Sequence, residues 1–244
     1  MITISFSTLF RWVIAGFLII SIGHIASVLL THDVPNIEKN NHILRYMFYF
    51  GNEKSISALY SAFLFLLVGH CFKTIGRMTN TFSKHWTFLQ YLAIFLACDE
   101  WFAIHDALLN VYGMGPFNVP IWVWVYGLLF GTMLVIFIPF LKQIPKYLML
   151  SILLSGTIYV SGSGIMEVVT YSYENTASLA QNIGWFIEDG LEMVGLVTML
   201  GCLGAWLKNQ GIVTLSLHRV ISIATVVIGV TELTIIYILS KVIS

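Results

Sequence analysis

Long apolar runs constrain this chain more than any other feature of it. A helix needs about 20 mainly apolar residues to cross the hydrocarbon layer of a bilayer. Seven stretches qualify, at approximately 9–30, 56–76, 86–110, 119–141, 147–171, 183–207 and 218–240. The expected fold is therefore all-α: an integral membrane bundle of about seven transmembrane helices, forming a single transmembrane domain over residues 1–244. Composition agrees, because only 10% of residues are charged and 58% are hydrophobic, against about 25% charged in a soluble domain. No Pro/Ser/Gly-rich linker or low-complexity tract divides the chain. The first run outlasts the roughly 7–15 apolar residues of a signal peptide, so it is read as a retained helix.

The formal net charge is zero, so nothing in it points to nucleic acid, and the expected partner is the lipid bilayer. Cys71, Cys98 and Cys202 all lie in apolar runs without CxxC spacing and read as small core residues. Basic residues set the orientation. Arg11, Lys73, Arg77, Lys84, Lys142, Lys146, Lys208 and Arg219 fall on one side, and Lys39, Arg45, Lys54 and Lys241 on the other. The bias predicts a cytoplasmic N-terminus and a C-terminus outside the cell membrane.

Seven of the twelve acidic residues then demand explanation. Asp99, Glu100, Asp106, Glu167, Glu188, Asp189 and Glu192 sit inside or at the edge of apolar runs, with His105 among them and no Lys or Arg in those runs' interiors. A carboxylate in hydrocarbon costs several kcal/mol unless it faces the protein interior and finds a partner. Without a basic residue, that partner is a proton, water or a metal cation. The predicted orientation brings all eight groups to a similar depth near the outer face. Glu53, just before the second run, and His24, in the outer half of the first, fall there too.

At about 100° per residue, Glu188, Asp189 and Glu192 share one arc of a helix and can face a single site. In the third run Asp99 and Asp106 lie on one stripe, while Glu100 and His105 flank it on opposite sides. A regular helix cannot aim all four at one ion. The reading adopted is that some of the four stand outside the first ring of ligands. Dipole stabilisation at a helix N-terminus explains one or two of the three acids of the sixth run. It cannot explain acids near the C-terminal end of the third. His24 and His70 read as hydrogen-bonded packing residues, and Glu232 in the seventh run as protonated or hydrogen-bonded.

The stretch Asp99-Glu100 followed by His105-Asp106 resembles a DE-x4-H-[DE] signature. Gly164 to Glu167 is similar to G-x-x-E, and Glu188 to Gly195 to E-[DE]-x-x-E-M-x-G. Glu53 with Ser61 resembles an E-x7-S element ahead of them. The ordered set, over residues 45 to 207, resembles a group of uncharacterised multi-pass bacterial membrane proteins. Asp106 and Asp189 stand where that pattern more often has Glu, and the segment around Ser55 and Ser57 lacks its Asn and Pro. The resemblance implies no activity.

Several chemistries are excluded by what the chain lacks. There is no HExxH, no GxSxG, no lysine deep in a run for a Schiff base, and no His-rich cluster of the desaturase kind. A ferritin-like count of carboxylates and histidines is reachable with His105 and His24, but the Glu-x-x-His spacing is absent. Carboxylate-rich ligation suits a hard or borderline divalent metal cation. Three readings follow. The first is a metal-dependent membrane enzyme acting on a lipid or a periplasmic small-molecule substrate, with Asp99, Glu100, His105, Asp106, Glu167, Glu188, Asp189 and Glu192 as candidate metal ligands. The second is a cation or proton channel or transporter, and the third a structural or effector protein with a protonated acidic network. The inner halves of the runs carry no second acidic layer, which favours a dead-end site and hence the enzyme.

Overall fold

The computed structural model describes residues 3–31, 47–50, 55–79, 81–171 and 179–216. The seventh apolar run, Glu53 and Glu232 lie outside them. Within them the chain is helical apart from one short strand pair. Strand β1 (Thr3–Ser5) leads into α1 (Phe6–Thr31), and α2 (Ile56–Met78) follows. Next come α3 (Ser83–Phe102), α4 (Ile104–Tyr112), α5 (Ile121–Gln143) and α6 (Lys146–Val160). A π-helical turn, Ser161–Met166, joins α6 to α7 (Glu167–Tyr171), and α8 (Leu179–Asn209) ends at β2 (Thr214–Ser216). Five segments are long and apolar enough to cross a membrane: Phe6–Leu30, Ile56–Met78, Ile121–Gln143, Lys146–Tyr171 and Leu179–Asn209.

Local chemistry sets several boundaries. Ser55 opens α2, its hydroxyl accepting from the Ala58 N–H at 3.3 Å, and Arg77 in the last turn complements the carbonyl end of the dipole. Helices α5 and α6 each begin after a proline, Pro120 and Pro145, a residue with no N–H to leave unpaired. Helix α8 ends in a Schellman turn. Gly211 takes the left-handed φ of 85°, and the Ile212 and Gly211 N–H groups donate to the Leu207 and Lys208 carbonyls, each at 3.0 Å.

Helix α2 is the axis of the packing, running beside α3 and against α8, while α8 also holds α6 and α1. Leu64, Leu67, Cys71 and Ile75 of α2 are fully buried with Leu203 and Leu207 of α8. Helix α5 packs mainly on α4 and α6, and Leu128, Leu129, Val135 and Ile136 on its far side are exposed. An apolar surface of that extent marks a lipid face. The strands pair antiparallel, Thr3 opposite Ser216, so both ends of the helical unit meet on one side. The three cysteines are free thiols.

One expectation needs correction. The third run is not a continuous helix: Ala103 adopts φ 51°, ψ 51°, in the left-handed region, and separates α3 from α4.

Candidate functional site

The break at Ala103 decides where four of the candidate residues point. Because the chain changes direction after Phe102, Asp99 and Glu100 sit on α3 whereas His105 and Asp106 open a new helix, α4. The regular-helix geometry that separated these groups does not apply, and all four line one cavity. The helix is distorted at this point, and Asp99 acts there as a positioning group. Asp99 stitches the break together. Its Oδ1 accepts the His105 backbone N–H at 3.0 Å and the Tyr126 hydroxyl at 3.1 Å, and its Oδ2 lies 3.3 Å from His105 Nδ1. This fixes the imidazole and turns Nε2 toward Asp106 Oδ1, 3.8 Å away. Asp106 occupies the first turn of α4, where the dipole favours a negative charge. The supposition that the dipole opposes the third-run acids therefore fails for Asp106.

A second irregularity positions the opposite wall. The π-helical turn Ser161–Met166 carries Gly162 and Gly164 and delivers Glu167 to the cavity. Single π turns inside α-helices recur at functional sites. Close packing holds this one. A Cβ on Gly162 would lie 2.6 Å from the Glu188 carbonyl oxygen, and one on Gly195 would lie 2.7 Å from the Tyr159 nitrogen. These contacts bring Glu188, Asp189 and Glu192 of α8 against the π turn. The Thr170 hydroxyl donates to Glu188 Oε2, Glu167 lies within hydrogen-bonding reach of Glu188, and the Tyr159 hydroxyl donates to Glu100 Oε1 at 3.0 Å.

All eight candidates, Asp99, Glu100, His105, Asp106, Glu167, Glu188, Asp189 and Glu192, thus line a single cavity of about 760 Å³. Helix α8 begins at Leu179, so its acids lie more than two turns inside it, beyond the first-turn reach of the dipole. Capping does not explain them. Among the described residues, no three His, Cys, Asp or Glu side chains are grouped closely enough to hold a metal ion. His24 is a packing residue. Its Nδ1 accepts the Phe50 N–H at 2.9 Å, and its ring stacks on Tyr49 and Phe186.

Tyr126, Tyr159 and Thr170 are the polar partners that charge patterning alone overlooks. Their signal was present, since a tyrosine hydroxyl in an apolar run needs a partner when buried. Phe72, which lines the cavity, belongs to an aromatic cluster. Phe72 packs on Trp86, Trp86 on Phe140 edge-on at 4.9 Å, and Phe140 on His85 in a stack at 5.2 Å.

No curated protein and no solved structure matches the chain. A family model described as a domain of unknown function, DUF8692, matches residues 9–206 of the 244, a span that holds every helix contributing to the cavity. The chain belongs to the DUF8692 family.

Proposed function

We propose that this protein is a membrane-embedded enzyme whose active site is the acidic end of the cavity and whose substrate is a lipid or a periplasmic small molecule. One observation carries the reading: eight acidic and histidine side chains from α3, α4, α7 and α8 converge on a single cavity with no Lys or Arg among the described residues of its wall. His105, oriented by Asp99, is the group to move a proton, since a positioned imidazole is the commonest general acid or base. Glu167, Glu188 and Glu192 offer the oxygen donors that hard divalent cations take. A cation bound there would act as a Lewis acid or generate hydroxide. Binding it requires Glu188 to turn from Thr170. The lack of a second acidic layer in the inner halves of the runs supports a dead-end site over a conduit.

A second reading is favoured by a specific observation. Asp99, Glu100 and Glu188 each already accept a hydrogen bond from a neighbouring hydroxyl, as carboxyls of a structural hydrogen-bonded network would. Elemental analysis of the detergent-purified protein separates the two. The enzyme reading expects close to stoichiometric divalent metal and a melting temperature that falls on chelation. It also expects Glu188→Gln and Glu192→Gln to lose the metal while remaining folded. Metal-free wild type with Gln variants that melt higher would sink it in favour of the network.

The full topology belongs to the same proposal. Pairing of β1 with β2 puts residues 3–5 and 214–216 on one face, which an odd number of crossings between them forbids. We read α3 with α4 as a sixth crossing beside the five apolar spans of the described residues, a count the strand pairing supports, and run 218–240 as a seventh. With basic residues holding the N-terminus inside, the C-terminus lies outside and the acids face the periplasm. A C-terminal fusion to a reporter active only in the cytoplasm should be silent, and activity there would invert this topology.

A further inference from the structure

The cavity continues well below its acids, and proton or cation chemistry gives no reason for that lower reach. On α2 its lining runs from Ser57 to Phe72, about 22 Å at 1.5 Å per residue. That exceeds the roughly 15 Å of hydrocarbon in one leaflet. Five glycines line the cavity, and at three of them, Gly127 and Gly131 on α5 and Gly156 on α6, a Cβ would meet nothing within 4 Å. Small residues in membrane helices ordinarily let backbones approach each other, as Gly162 and Gly195 do here. These three hold a space open instead.

Two buried polar groups in the same wall lack a partner. Trp122, 6% exposed, and Ser155, 1% exposed, both line the cavity. Neither the Trp122 Nε1–H nor the Ser155 hydroxyl has a hydrogen-bond partner among the described residues. Buried donors are rarely left so in a folded protein. Trp122 sits at the outer end of α5 beside His105, ring centroids 5.2 Å apart, and Ser155 lies one turn below Tyr159. An indole N–H is a donor only, so it asks for an acceptor oxygen. Among the described residues the wall has carboxylates and no Lys or Arg, so a phosphate head would meet like charge there.

We infer that the cavity is a binding slot for one long-chain neutral lipid, an alcohol, ester or amide, with its hydrocarbon chain along the glycine-lined wall and its head oxygens at Trp122 and Ser155. This rests on reading the cavity as the active site and names the substrate class for it.

Photolabelling of the full chain in nanodiscs tests the slot. The probe is a monoacylglycerol with a diazirine in a palmitoyl-length chain. Adducts are expected on the faces carrying Gly127, Gly131 and Gly156, competed by unlabelled monoacylglycerol but not by lysophosphatidic acid of equal chain length. Gly131→Leu fills the space without a clash, so labelling should fall by about tenfold or more, the scale of a methylene mismatch in an apolar pocket, at an unchanged melting temperature. Should that variant misfold, Ser155→Ala removes only the hydroxyl and must weaken labelling. Adducts confined to the outward-facing Leu128 and Leu129, undiminished labelling in the folded Gly131→Leu variant, or equal competition by lysophosphatidic acid would overturn the proposal. Retained labelling in a protein that turns over no neutral lipid would leave the slot standing and remove the enzyme reading alone.

Discussion

The helix carrying Asp99 and the helix carrying Glu167 are both interrupted beside their acids, by opposite means. At Ala103 the backbone enters the left-handed region and the helix stops, restarting as α4. At Ser161–Met166 the helix widens into a π turn and continues. The first break is held by a side chain, the Asp99 carboxylate that accepts the His105 N–H. The second is held by the absence of one, at Gly162 against the Glu188 carbonyl. Both devices turn polar groups into the cavity. They differ in what they demand of the sequence, and so in how they fail.

The larger effect is expected at the π turn. Gly162→Val would place a branched side chain where even a Cβ lies 2.6 Å from one backbone oxygen and 3.0 Å from the Glu192 nitrogen. Backbone atoms cannot swing aside, so α8 must shift, at a cost of about 1–3 kcal/mol or more. Thermal melts in detergent should show a large drop. An unchanged midpoint would mean that backbone contact does not hold this turn.

The smaller effect is expected at the break. A non-glycine residue in the left-handed region costs roughly 1–2 kcal/mol, while glycine gives back part of that as chain entropy. Ala103→Gly should therefore stabilise by about 0.5–1 kcal/mol and leave the Asp99–His105 contacts in place. A lower melting temperature would show that Ala103 is not strained and erase the contrast with Gly162.

That contrast also explains what the sequence made legible. Six of the apolar runs correspond to helical segments within a few residues, because hydrophobic length is a direct physical requirement. That the seven acids and His105 gather at one place was legible from their positions along the runs, and they line one cavity. What the sequence concealed was the break. Alanine is the strongest helix former, and nothing in Trp101-Phe102-Ala103-Ile104 marks a stop, so ideal angular arithmetic across it misdirected His105 and Asp106. The π turn was better signposted, by Gly162 and Gly164 within Ser-Gly-Ser-Gly. The depth of α8's acids was misjudged for a simpler reason. The helix begins at Leu179, ahead of the apolar stretch that advertised it.

The strand pair at the base of the bundle has a consequence for biogenesis. Thr3 is paired with Ser216, and ribosomes add about 5–20 residues per second. The first strand is therefore made roughly 10–40 s before its partner exists. During that interval α1 is inserted but unclasped, and its exposed strand edge is open to any passing polypeptide. The last few residues before the seventh run thus close the ring that the first few opened, and the order of synthesis makes that closure a late event in assembly.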